Sequence, residues 1–227
     1  RFAICNETYP TDWSFEKVCE DAAAAGYHAL ELAPFTLKED PRDLTEADAL
    51  RLSHIASSFG LEILGLHWLL TKPTWFHITT PDDLQRKETA KFGRHLARFC
   101  AMTGGRIMVW GSPKARNTLP EWNYDDAFNR AADTIREVAI TAGQYGVTLA
   151  LEPLVLEPQL DADLLARALV RGLHDHRAVG AGQGRVVGVG ARAGHDHRKG
   201  GTSPVKVSPV RRSTIGVVDV RNTPIES

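Results

Sequence analysis

Four times between residues 15 and 152 the chain runs from an amphipathic helical pattern through a glycine into a short, nearly continuous apolar stretch. The stretches are Gly26-Tyr27-His28-Ala29-Leu30-Glu31-Leu32, Gly60-Leu61-Glu62-Ile63-Leu64-Gly65-Leu66-His67, Gly105-Arg106-Ile107-Met108-Val109-Trp110 and Gly146-Val147-Thr148-Leu149-Ala150-Leu151-Glu152. Glycine suits a helix end, where the chain commonly turns through a left-handed residue. Apolar runs without alternation are how strands covered on both faces read. The intervening helices each carry one stripe to bury: Phe15, Val18, Cys19 and Ala22; Leu52, Ile55, Ala56 and Phe59; Phe92, His95, Leu96, Phe99 and Cys100; Phe128, Ala131, Ala132, Ile135, Val138 and Ala139. Thr45 with Asp48, Thr80 before Pro81 and Asp83, and Asn123 with Asp126 predict helix N-caps with an acid in the first turn.

With Phe2-Ala3-Ile4-Cys5 in front, this gives five strands separated by four helices, and strict alternation means parallel strands joined by right-handed crossovers. An open dinucleotide-binding sheet would place Gly-x-Gly-x-x-Gly after the first strand, where this chain has Asn6-Glu7-Thr8-Tyr9-Pro10. The expected class is therefore α/β, a (β/α)8 TIM-barrel type whose first five strands and four helices are recognisable. The C-terminal strand ends carry polar groups one after another: Asn6 and Glu7, Glu31, His67, Ser112 with Lys114, then Glu152. Barrel chemistry sits at those ends.

A strand-end glutamate at a barrel mouth can ligate a divalent cation, act as a general base, or simply hydrogen-bond a loop. Taken singly, the loop role is the commoner one; five successive polar ends opposite apolar starts such as Gly60-Leu61 and Gly146-Val147 favour a site. His67 is equally compatible with a hydrogen-bonded core histidine and a substrate contact, while His28 and His54 receive no role. Lys114 and Arg116, beside Ser112 and Asn117, could bind a phosphate or a sugar hydroxyl, or remain solvated loop charges.

Composition sets the remaining bounds. A chain of 227 residues that is 43% hydrophobic and 24% charged with a formal net charge of −1 is an ordinary globular composition. No run of about 18 apolar residues offers a membrane span, and Arg1-Phe2-Ala3-Ile4-Cys5-Asn6 turns polar too early for a signal peptide, so the expected location is cytoplasmic. Cys5, Cys19 and Cys100 are an odd set at wide spacings and read as buried free thiols.

Five segments then carry a resemblance: Phe2 to Thr8, Ala29-Leu30-Glu31-Leu32-Ala33-Pro34-Phe35, Gly65-Leu66-His67-Trp68-Leu69-Leu70, Met108-Val109-Trp110-Gly111-Ser112-Pro113-Lys114 and Leu149-Ala150-Leu151-Glu152-Pro153-Leu154. In order, and at every strand end, they are similar to the sugar phosphate isomerase/epimerase family of xylose isomerase-like barrels, over residues 1 to about 154. The resemblance implies a TIM barrel that isomerises or epimerises a sugar, with a divalent metal (Mn²⁺, Mg²⁺ or Co²⁺) held by a Glu, an Asp, a His and a second Glu from the fifth to eighth strands. Glu152 matches the first of those ligands, which also serves as one of two acid/base carboxylates. In this picture Glu31 and His67 would line the sugar pocket, and Lys114, from its place after the fourth strand, is a further substrate-binding candidate. Removing a proton beside a carbonyl needs a base and a Lewis acid on the sugar oxygens, and carboxylates on opposite faces allow return from the other side.

The pattern stops near Val155. All 17 aromatic residues (8 Phe, 5 Trp, 4 Tyr) precede it, and ten of the 19 glycines follow it. Residues 155–227 hold eleven Lys/Arg against seven Asp/Glu, so residues 1–154 hold sixteen (27 minus 11) against twenty-one (28 minus 7). One helix is expected around Leu160 to Leu173. Ala178 to Gly194 is low-complexity sequence that buries little surface. The expected organisation is thus a partial barrel over 1–154 and an atypical, poorly ordered tail over 155–227, with the hypothesis that the tail is a shifted reading frame. Under permitted codons, His195-Asp196-His197-Arg198 read one nucleotide later gives Met-Thr-Thr-Glu, and an intact frame in the sequenced gene would refute the idea. His174-Asp175-His176 and His195-Asp196-His197 match none of the family's ligand positions.

Three readings follow. The first is a metal-dependent sugar isomerase or epimerase with a sugar as its partner. The second is a non-catalytic partial barrel whose open edges require a partner chain, a second copy included. The third is DNA repair, since an abasic-site endonuclease shares the superfamily fold. The net −5 of residues 1–154 opposes a specific nucleic-acid partner.

Overall fold

A computed structural model describes residues 1–152 and the backbone of Val186–Gly188. The strands are β1 (Ala3–Cys5), β2 (Ala29–Leu32), β3 (Glu62–Leu66), β4 (Ile107–Trp110), β5 (Thr148–Leu151) and β6 (Val186–Gly188), and the helices are α1 (Phe15–Ala24), the single turn α2 (Pro34–Leu37), α3 (Glu46–Ser58), α4 (Asp83–Met102) and α5 (Tyr124–Gln144). The strands form one sheet in chain order, and every pairing is parallel. This is the expected barrel-type alternation, with α1, α3, α4 and α5 as the crossovers.

Local signals explain most boundaries. Thr45 and Asp48 form a reciprocal capping box, Asn123 accepts from the Asp126 N–H, and Ser14 accepts from the Lys17 N–H. The start of α4 differs from the expected Thr80 cap. Asp82 is the cap, because its carboxylate accepts from both the Leu84 and Gln85 N–H groups, while Thr80 Oγ1 accepts from the Asp82 N–H. Left-handed glycines end the four long helices at Gly26, Gly60, Gly104 and Gly146, with φ between 70° and 85°. The third is Gly104 rather than Gly105, whose N–H instead reaches back to the Cys100 carbonyl.

Register sorts the strand side chains into two faces. Leu32, Leu66, Met108 and Leu149 are successive partners, as are Trp110 and Leu151, and all are buried against the helices with Val18, Leu52, Leu96, Phe99, Ile135 and Val138. On the other face Cys5, Glu31, Gly65, Ile107 and Thr148 are successive partners. The core therefore lies between sheet and helices, and the other face carries the less buried Cys5, Glu31, Ile107 and Thr148.

A bulge makes that second row possible. Leu30 pairs with Ile63 but Glu31 pairs with Gly65, so Leu64 is an extra residue. Without it the alternation would put His67 on the face of Leu30 and Leu32; with it, His67 joins the face of Glu31. Gly65 tolerates the close approach this creates, since a Cβ there would lie 1.8 Å from the Ile107 carbonyl oxygen.

Beyond residue 152 one short strand is described. Val186–Gly188, inside the stretch read as low-complexity, pairs with Leu149, Ala150 and Leu151 as a sixth parallel strand. Backbone pairing needs only a short extended run, and consecutive valines favour it. The expected helix at 160–173, both His-Asp-His segments, the unit boundary at 154/155 and, apart from Val186–Gly188, the tail read as a shifted frame lie outside the described residues. No helix among the described residues is long and apolar enough to cross a membrane.

Candidate active site at the barrel mouth

Glu152 follows β5 directly, and its N–H donates to the Trp110 carbonyl, which sets it beside Gly111. A Cβ on Gly111 would lie 2.2 Å from Glu152 Oε2, so the absence of a side chain there makes the room that the carboxylate occupies. The same oxygen stands 3.7 Å from His67 Nε2. On its other side His67 Nδ1 is 3.2 Å from Glu31 Oε2. One imidazole thus lies between two carboxylates. Their side chains are 26% (Glu31), 25% (His67) and 34% (Glu152) exposed, so each keeps contact with solvent while partial burial strengthens the charges.

The Cys5 sulfur and the Glu31 carboxylate push His67 up to about 10, against the cost of its partial burial. The imidazole is therefore cationic at neutral pH. Trp68 follows it at φ 54°, a left-handed conformation that bulky residues rarely adopt, and its ring stacks against His67 with centroids 5.9 Å apart.

Three of the four expected site residues, Glu31, His67 and Glu152, come together. Lys114 does not join them. It is exposed on the turn Pro113–Ala115 and makes no ion pair among the described residues. Arg116 in the same loop is partly buried and feels the Glu152 charge, which raises its pKa against a larger lowering by burial. Two other polar ends are structural. Asn6 accepts from the Ala33 N–H and donates to Thr36 Oγ1, each at 2.7 Å, tying β1 to the end of β2, and Ser112 Oγ accepts from the Leu70 N–H.

Cys5 is the residue that sequence reasoning missed. Cys19 and Cys100 are buried thiols as expected, pushed by burial to about 11 and about 12. Cys5 is only partly buried and is the register partner of Glu31. Its position at the end of β1, in line with Glu31 and His67 at the ends of β2 and β3, was the available signal.

A hard cation takes oxygen ligands, and Glu152, held at the open mouth over Gly111, fits as one of them. The other three ligands expected from the resemblance fall beyond residue 152 and so outside the described residues.

A profile of the xylose isomerase-like TIM barrel family matches residues 19–180, well past the expected limit near 154. No curated protein is matched by the sequence. Among solved structures, D-psicose 3-epimerase from Clostridium cellulolyticum H10 superposes with a TM-score of 0.60 at 17% identity, covering 73% of this chain and 59% of that one. A 3-keto-D-glucoside 4-epimerase from E. coli gives 0.58 at 14% identity over 77% and 62%, and an L-ribulose 3-epimerase gives 0.56 at 22% over 68% and 50%. The chain therefore spans roughly half to three fifths of the length of these proteins, and the likeness is one of fold.

Proposed function

Since the chain belongs to the xylose isomerase-like TIM barrel family, we propose that it derives from a sugar isomerase or epimerase that moves a proton on the carbon beside a carbonyl. The single observation that carries this reading is the Glu31–His67–Glu152 constellation at the strand ends, with Glu152 seated over Gly111. The names of the solved neighbours, D-psicose, L-ribulose and 3-keto-D-glucoside epimerases, support a ketose or keto-sugar as the substrate class proposed.

In this mechanism Glu152 takes the proton from the carbon next to the carbonyl. His67 is cationic and presents Nε2–H to the mouth, where it orients Glu152 and a sugar oxygen. Glu31 holds the imidazole from behind through Nδ1. Trp68 shields one side of the ring from water. A divalent metal held by Glu152 and by ligands beyond it would stabilise negative charge on the sugar oxygens as a Lewis acid. The carboxylate that returns the proton is expected from a later strand.

The test is incubation of the purified full chain with Mn²⁺ and a panel of ketopentoses and ketohexoses, with products separated by chromatography. Interconversion at one carbon is expected. Metal-saturated, folded protein that turns over none of the panel would refute the reading.

A second reading, a non-catalytic partial barrel, draws on one observation: of the polar strand ends, Asn6 and Ser112 are bound up in the fold and Lys114 is exposed. Mn²⁺ titration separates the two. Tight stoichiometric binding supports the enzyme, and its absence supports the partial barrel.

A further inference from the structure

Cys5, Glu31 and His67 offer a sulfur, a carboxylate oxygen and an imidazole nitrogen that all lie within 4.8 Å of one another, each partly buried. From this geometry we propose a second metal site, separate from the one expected at Glu152, that takes Zn²⁺ or a cation of similar chemistry such as Co²⁺.

The donor set decides the metal. Mg²⁺ and Mn²⁺ prefer oxygen ligands, whereas a thiolate, an imidazole and a carboxylate together suit borderline-soft Zn²⁺ and Co²⁺. Three protein ligands leave a fourth tetrahedral position for water or a sugar hydroxyl, the arrangement of an open rather than a purely structural site. Bound ligands on a tetrahedral ion of this kind lie roughly 3 to 4 Å apart, given bonds of about 2.0–2.3 Å. The 3.2 Å separation of Glu31 Oε2 and His67 Nδ1 already meets that, and Cys5 Sγ lies within 4.8 Å of both residues' ligand atoms.

The backbone prepares the trio. Cys5 and Glu31 are register partners at the ends of adjacent parallel strands, and the extra residue Leu64 turns His67 onto their face. The second nitrogen is oriented as well. With Nδ1 on the metal, Nε2 stays on the side of the Glu152 carboxylate, 3.7 Å away, close enough for charge attraction but longer than a hydrogen bond. His67 therefore changes state when the second cation binds, from the imidazolium of the metal-free site to a neutral ligand. Nδ1 binds the cation while Nε2 still faces the sugar pocket. A metal takes the deprotonated form of a thiol and of an imidazole nitrogen, so binding at this trio is coupled to proton release.

Co²⁺ titration of the full chain in excess Mg²⁺, which occupies an oxygen-rich site first, tests the proposal. A near-ultraviolet thiolate-to-cobalt charge-transfer band saturating at one equivalent is expected. It should vanish in Cys5→Ser and His67→Gln and persist in Glu152→Gln. Zn²⁺ should also slow alkylation of Cys5 in the wild-type chain at least tenfold, a readout that needs no variant to fold. Absence of the band, its survival in Cys5→Ser, or unchanged alkylation would overturn the site. Because the band is independent of sugar turnover, losing it leaves the epimerase reading standing, and losing turnover leaves the site standing.

Discussion

The ends of β1 to β3 and the ends of β4 and β5 belong to one parallel sheet in which β2 to β5 share a helix–glycine–strand unit, yet they present different chemistry. The first three ends converge: Cys5, Glu31 and His67 are mutual neighbours. The last two give one carboxylate and a loop in which Ser112 is structural and Lys114 is exposed. The difference lies in the backbone. A bulge turns His67 onto the Glu31 face in the first group, whereas in the second an empty Cβ position at Gly111 admits Glu152. A strand-end position becomes a site residue when register and space allow it, and polarity alone does not suffice.

The largest effect expected from breaking this contrast comes from Gly65→Ala. Its Cβ would lie 1.8 Å from a backbone oxygen, which cannot move aside as a side-chain tip can. Chemical denaturation should show a loss of about 3 kcal/mol or more, and the His67 contacts should go with it. A stable Gly65→Ala protein with His67 still beside Glu31 would show that the bulge does not depend on this glycine.

Gly111→Ala acts on the other group. The new methyl would meet Glu152 Oε2, the end of a flexible side chain, so the carboxylate shifts while the fold survives. Destabilisation of about 1–2 kcal/mol should accompany a roughly 10²-fold fall in kcat, the scale set by misplacing a reacting group by about 1 Å. Equal losses in both groups' functions would contradict their independence. Within the β4 loop, Arg116→Ala should weaken sugar turnover more than Lys114→Ala, because Arg116 is the cation that feels Glu152.

The smallest effect is on pH dependence. Burial lowers the pKa of His77 and His95, and His95 Nε2 has no hydrogen-bond partner among the described residues. For a base whose folded pKa is depressed, the stabilising contribution is present above the unfolded value of about 6.5 and is lost as pH falls through the folded value. His67 has the opposite sign: with its folded pKa raised to about 10, its contribution is complete below about 6.5 and lost as pH rises through about 10. Thermal melts in metal-free buffer should therefore peak near neutrality. His95→Phe should flatten the acid limb and His67→Gln the alkaline one.

Much of this was legible in the sequence because two periodicities were clean. Stripes such as Val18, Cys19 and Ala22 do face the core, and Glu31, His67 and Glu152 stood out as polar groups ending apolar runs. The bulge at Leu64 was not legible, since a register shift is a property of two strands and one strand's pattern does not encode it. Cys5 was hidden for a related reason: a cysteine ending an apolar strand looks like core until its neighbours are known. Lys114 and Arg116 are chemically alike in sequence, and only the turn at Pro113–Ala115 decides which is exposed. The strand at Val186–Gly188 escaped notice because glycine-rich surroundings carry no hydrophobic period.

The role of Glu152 is tested most directly by solvent isotope exchange. With Mn²⁺ present, the wild-type chain should incorporate deuterium from D₂O at the carbon beside the carbonyl of a ketose, read by NMR. Glu152→Gln should slow that exchange about 10³-fold, the usual contribution of a positioned general base. Exchange at the wild-type rate in Glu152→Gln, or none at all in the folded, metal-saturated wild type, would contradict the assignment.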